Sequence, residues 1–266
     1  MENIYTFFAE LPIYALVPLF ILVFNACGIG FLVLVRKYHF YLIPNLENEF
    51  IVEIFSDAIG LIFAFILSLV TITAWQSHND VADSIDKEAV TLMNIYRTLE
   101  AFPPEIRDQG RSTLREFVNE VITNEWPAMK IGKYDKQAYV IFLNFSNLVQ
   151  RYKPKDFAEL AAQQEELRLL STYRELRSHR LLNAKPLIDN YLLCILVLAA
   201  LIYLFYQSIY HMTDLRSHII MYCSLTTSIS LVFLMILIFN NPFIGPSAIG
   251  PDTFEKLLYY YWPITN

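Results

Sequence analysis

Glu53 and Asp57 stand one helical turn apart at the start of a long apolar run. Carboxylates in or beside a membrane are costly, and their usual uses are proton relay, ion pathway or counter-ion. The plainer reading is that both lie at the water-facing end of the run, solvated or paired with Arg36 or Lys37. As a ring in an oligomer they would favour cations locally. Asp189 and Asn190 open another apolar run, and Lys185, one turn earlier, is spaced to neutralise Asp189. The five histidines are scattered, and none pairs at i, i+4 with another histidine or a cysteine, so no metal site is expected. Phosphate-cradling glycine loops, a Gly-x-Ser-x-Gly elbow and His-Glu-x-x-His are absent from the sequence, so neither an enzyme nor a cofactor site is expected. Cys27, Cys194 and Cys223 all fall inside apolar runs, where a small soft side chain packs and a disulfide framework is not expected.

Four apolar runs must position these groups: residues 11–35, 51–75, 187–210 and 219–239. Each is about 20 residues or longer, the length an α-helix needs to cross a hydrocarbon layer of ~30 Å. In lipid each must satisfy its own backbone polar groups, so each is expected to be a helix. The segment before the first run holds no Lys or Arg, and the run lacks a small-residue cleavage site, so it is expected to stay as the first span. Four spans put both termini and the central segment on one side. Near the membrane that side holds Lys87, Arg174, Arg177, Arg180, Lys185 and Lys256, against Arg36, Lys37 and Arg216 in the short connections. An excess of Lys and Arg marks the cytoplasm, so the termini and central domain are expected there.

Residues 78–186 carry sixteen Lys and Arg and sixteen Asp and Glu, a balance with no basic patch for nucleic acid. An apolar stripe at Val81, Ile85, Ala89, Leu92, Tyr96 and Leu99 continues the second span as a helix until Pro103 and Pro104 stop it. A second amphipathic helix follows from Ile106, ending at Trp126 and Pro127; a third covers 136–151, and a fourth runs from Lys155 toward Pro186. With seven glycines and no strand-like alternation, the expected fold is all-α. It comprises four transmembrane helices and a helical extramembrane bundle inserted between the second and third. The expected divisions are a first transmembrane hairpin over 1–77, a cytoplasmic helical domain over 78–186, a second hairpin over 187–240, and a C-terminal turn and short helix over 241–266.

Within the second span, Gly60, Ala64, Ser68 and Thr71 set a small-residue seam suited to close helix packing. Ile59, Phe63, Ile66 and Val70 occupy another face. If that face converges on a symmetry axis, its rings make a hydrophobic constriction that passes weakly hydrated anions. In the fourth span Ser224, Thr227 and Ser228 share a face, where hydroxyls usually bond the preceding turn or a neighbouring helix. Beyond it, Pro242 and Pro246 cannot continue a helix. Pro242, Phe243, Gly245 and Pro246 are expected to form a structural latch that folds back a terminal helix. Asp252 and Glu255 have capping-box-like spacing for that helix, and Tyr259, Tyr260, Tyr261 and Trp262 suit a membrane interface.

Glu88-Ala89 with Leu92, Tyr96 and Arg97, then Glu125-Trp126-Pro127, then Asn241-Pro242-Phe243 through Gly245-Pro246 to Pro251 and Phe254 carry a family resemblance. Over about residues 50–260 the chain resembles bacterial membrane proteins named for a domain of unknown function and described as bestrophin-like. Bestrophins are pentameric anion channels with four membrane helices per subunit, a cytoplasmic helical domain between spans two and three, and a pore lined by the second span. The order of elements here is similar. The resemblance implies an oligomeric, anion-conducting channel of a bacterial inner membrane, whose partners are copies of itself, the bilayer and small inorganic ions. One subunit with four spans is too small to enclose a pore, which points to a ring. No pore neck or calcium site is carried over. The alternative is a membrane-anchored signalling or scaffold protein whose cytoplasmic bundle binds a partner.

Overall fold

The computed structural model describes residues 11–42, 49–133, 135–209 and 214–262. The turn expected at Pro44 and Asn45 and the end of the third run at Tyr210 lie outside the described residues. The helices are α1 (Ile13–Leu42), α2 (Glu49–Thr98), α3 (Pro104–Glu120), α4 (Trp126–Lys130), α5 (Lys136–Arg151), α6 (Phe157–Leu182), α7 (Asn190–Ile209), α8 (Leu215–Asn240) and α9 (Asp252–Lys256). No strand occurs among the described residues, and α1, α2, α7 and α8 are long and apolar enough to cross a membrane. This is an all-α membrane protein. Two compact units are present, one of Met1–His78, Pro186–Asn241 and Gly245–Ser247, the other of Asn79–Lys185, Pro242–Ile244 and Ala248–Asn266. The 50-residue α2 contributes to both.

In the first unit, Phe63, Val70 and Ala74 of α2 form a core with Ile188, with Leu196 and Ala200 of α7, and with Ile229, Phe233 and Ile236 of α8. Helix α1 joins through a polar link that its apolar composition did not announce. Thr226 Oγ1 donates to Asn25 Oδ1 at 2.7 Å, and Asn25 Nδ2 donates to Thr227 Oγ1 at 2.8 Å. A small residue makes this approach possible, since a Cβ on Gly28 would meet Thr226 Cγ2 at 2.7 Å. Ser224 and Ser228 donate to the carbonyls of Ile220 and Ser224, one turn back, so those hydroxyls are satisfied within α8. At the end of α8, the Asn240 carbonyl accepts from Leu187 N–H at 2.9 Å and its buried side-chain oxygen accepts from Ile188 N–H at 2.7 Å.

In the second unit, Leu92, Ile95 and Leu99 are buried, as are Leu114, Phe117 and Val118 of α3, Phe145 and Val149 of α5, and Tyr173 of α6, whose ring meets Phe117 edge-on at 5.8 Å. Asp135 caps α5 by accepting from Gln137 and Ala138 N–H, and Asp156 caps α6 by accepting from Glu159 N–H. Helices α5 and α6 run antiparallel, with the Phe142 and Tyr173 rings 5.0 Å apart and Gln163 Nε2 donating to the carbonyls of Val149 and Tyr152 at 2.8 Å.

Two expectations are corrected here. The helix expected to end at Trp126 and Pro127 continues through a π turn over Val121–Glu125 into α4. Proline lacks an N–H, and the wider turn, closed by Trp126 N–H on the Val121 carbonyl, passes that gap without breaking the run. Asp252 does not cap the last helix: Pro251 is the N-cap residue, its carbonyl accepting from Phe254 and Glu255 N–H, and Asp252 is the first helical residue.

Candidate functional site

Two faces of α2 meet different surroundings. Phe63 is 5% exposed and stacks on Tyr203 of α7 at 5.4 Å, and Val70 is 6% exposed in the same core. Ile59 and Ile66 are partly buried beside them. Gly60 admits the Tyr203 ring, because a Cβ there would lie 2.8 Å from Tyr203 Cε2. One turn before, Gln207 Nε2 donates to Ser56 Oγ at 2.9 Å. The face expected from the sequence to line an axis is thus turned into the core of its own chain. The opposite face is open: Leu61, Ile62, Phe65 and Leu69 are each more than half exposed, with Ala64, Ser68 and Ile72 among them. Glu53 and Asp57 are exposed at one end of this helix, and Asp57 lies one turn from Leu61.

The motif residues Glu88, Glu125 and Trp126 converge in the second unit on two arginines of α6. Arg180 donates from Nε to Glu88 Oε2 at 2.7 Å, and from Nη2 to Glu88 Oε1 at 3.0 Å and Glu125 Oε1 at 2.7 Å. Arg177 donates from Nε and Nη2 to the two oxygens of Glu125. Glu88, Glu125 and Arg180 are fully buried and Arg177 nearly so. Burial acts against the Arg180 charge as the largest single influence, but Glu88 and Glu125 together outweigh it and hold the guanidinium above its ordinary value. With two carboxylates against two guanidiniums the cluster is neutral, the condition under which buried charge is tolerated.

Around the cluster the aromatic motif residues complete a cage. Arg180 lies over the rings of Trp126 at 4.9 Å and Phe254 at 5.6 Å. Trp126 packs edge-on to Phe243 at 5.9 Å and Phe254 at 5.4 Å, and its Nε1 donates to the Ile249 carbonyl at 3.2 Å. Ile249 N–H in turn donates to the Pro242 carbonyl at 2.8 Å. Gly245 takes φ 102°, a left-handed conformation that L side chains resist. His78 Nε2 donates to the Ser247 carbonyl at 3.0 Å. Farther along, Trp262 stacks on Tyr96 at 4.6 Å while Tyr259, Tyr260 and Tyr261 remain exposed.

Sequence reasoning missed Arg177 and Arg180 as partners of the glutamates. A signal existed, since Glu88 sits inside the stripe that runs through Ile85, Ala89 and Leu92, where a charge must find a counter-charge. It also missed Glu166. That carboxyl is fully buried, with no hydrogen-bond partner for either oxygen among the described residues, and the hydroxyls of Ser146 and Tyr173 are buried in the same condition. Burial, helped by the neighbouring Glu165 charge, pushes Glu166 up to about 9, so it is a neutral acid at pH 7. Among the described residues no three His, Cys, Asp or Glu side chains converge to hold a metal ion.

A family model described as Bestrophin-like domain matches residues 24–254, most of the chain, including every residue of the buried cluster and its aromatic cage. No curated protein and no solved structure matches significantly.

Proposed function

Because this chain belongs to the bestrophin-like domain family, we propose that copies of it assemble into a ring, of about five subunits as in bestrophins, that conducts small inorganic anions along an axis lined by α2. The observation that carries this reading is the open face of α2. It is long, apolar and unoccupied by the chain's own helices, whereas the opposite face is packed. In the ring, Leu61, Phe65 and Ile72 supply a hydrophobic constriction and Ser68 its one hydroxyl. Such a constriction excludes water and favours ions that shed hydration readily. Glu53 and Asp57 at the mouth weigh against anions, so the anion preference is assigned to the constriction.

The excess of Lys and Arg near the spans on that side supports a cytoplasmic position for both termini and residues 78–186, and the family resemblance supports a bacterial inner membrane. Reversal potentials of the purified protein in planar bilayers under a chloride gradient test the function. The expected result is a current that reverses near the chloride equilibrium potential. A ring that passes neither anions nor cations at any pH, calcium level or voltage refutes the channel and favours a scaffold whose bundle binds a partner.

A further inference from the structure

Two surfaces of the second unit carry exposed apolar side chains and opposite charge, and they lie on opposite flanks of α6. Thr172 and Leu176 of α6 line a shallow hollow of about 620 Å³ shared with α2, floored by Val90, which is 51% exposed. Arg174 and Ser178 line the other flank, a groove of about 440 Å³ shared with α5. At 100° per residue, positions 172 and 174, like 176 and 178, differ by about 200° around the helix, which puts the two surfaces back to back.

Their chemistry is complementary. The open side of α2 presents Asp80, Asp83 and Asp86 against the single Lys87. Helix α5 contains no acidic residue, and its exposed side presents Lys136, Arg151 and a ridge of Tyr139, Val140 and Leu143, with Arg174 of α6 beside it. Among the described residues, Asp80, Asp83, Lys136, Arg151 and Arg174 take part in no ion pair. An apolar ridge flanked by positive charge and an apolar hollow rimmed by negative charge, carried back to back by one chain, are complementary in the way that a head-to-tail contact requires.

We infer that these surfaces are the two sides of one repeating interface, in which the α5 ridge of one copy seats in the α2–α6 hollow of the next. The partner is a second copy of this chain. This rests on the ring proposed above and supplies its repeating contact: a heterologous contact uses both surfaces of every copy and closes into a ring when its rotation divides a full turn, whereas a self-complementary contact stops at two. The apolar ridge contributes the attraction, and the charges set register and direction.

The test uses the full chain in native membranes, with Cys27, Cys194 and Cys223 replaced by Ala. Val90→Cys together with Val140→Cys should give, on mild oxidation, a ladder of covalent multimers up to the ring size, and either substitution alone should give none. Arg174→Glu should abolish the ladder, as should Asp83→Lys, and combining the two should restore it. Cross-linking by Val90→Cys alone, or a ladder indifferent to both charge reversals, overturns the interface, as does no ladder in protein that runs as a ring by mass. Wild-type protein that is a monomer by mass refutes the ring itself, so the two failures are distinguishable.

Discussion

Glu166→Gln should stabilise the protein at neutral pH, because the wild-type side chain must keep a proton that the unfolded chain has already released. The carboxyl is buried with both oxygens unpartnered and is pushed up to about 9 from its ordinary 4.5. Above the ordinary value the unfolded chain loses this proton and the folded chain does not. Stability therefore falls as pH rises from about 4.5 to about 9 and is level on either side of that window. Each pH unit inside it is worth at most about 1.4 kcal/mol, so the cost at pH 7 reaches about 3 kcal/mol. Glutamine has nearly the same shape and no proton to lose. It leaves the buried polar atoms as poorly paired as before and removes only the pH-dependent part. Thermal unfolding of the detergent-solubilised protein from pH 5 to 9 reads the difference. The two proteins should have similar midpoints near pH 5 and separate steadily above it, with the variant the more stable. Parallel curves across the range would refute the assignment of a neutral buried acid.

Arg180→Met strands Glu88 and Glu125 without their shared partner and should cost about 3–5 kcal/mol by chemical denaturation; a loss under about 1 kcal/mol would mean that the cluster is hydrated rather than dry. Phe63→Ala should cost about 3 kcal/mol and leave ion selectivity as it is, while Phe65→Ala should change stability by under about 0.5 kcal/mol and raise basal conductance. The reverse pattern would return Phe63 to the axis. Gly245→Val forces a β-branched residue to positive φ and should cost about 1–3 kcal/mol, measured as a lowered unfolding midpoint. For orientation, Lys133→Cys in a background without native cysteines should resist an impermeant thiol reagent in intact cells and react after permeabilisation.

Helix positions were legible wherever apolar spacing or proline decided them. The stripe from Val81 to Leu99 carried α2 past the membrane, and Pro103 ended it. Periodicity could not say which side of α2 faces its own chain, because lipid, a neighbouring subunit and the core all select apolar residues. What decided it was Tyr203 finding room at Gly60 and stacking on Phe63, a contact between residues far apart in sequence. The buried cluster was half legible, since Glu88 breaks an apolar stripe, but its arginines lie in α6, where exposed and buried charges alternate and look alike. Pro127 read as a stop because the π turn before it has no sequence signature of its own.

The double acceptance by Asn240 has a consequence in time. Ile188 N–H, at the start of the second hairpin, finds its acceptor in a side chain 52 residues later. At a synthesis rate of about 5–20 residues per second, about 3–10 s pass between making the donor and making the acceptor. During that interval the Leu187 and Ile188 amides lack the acceptors that they hold in the folded chain, and only completion of the fourth span closes the clasp. The second hairpin is thus a late-sealing unit.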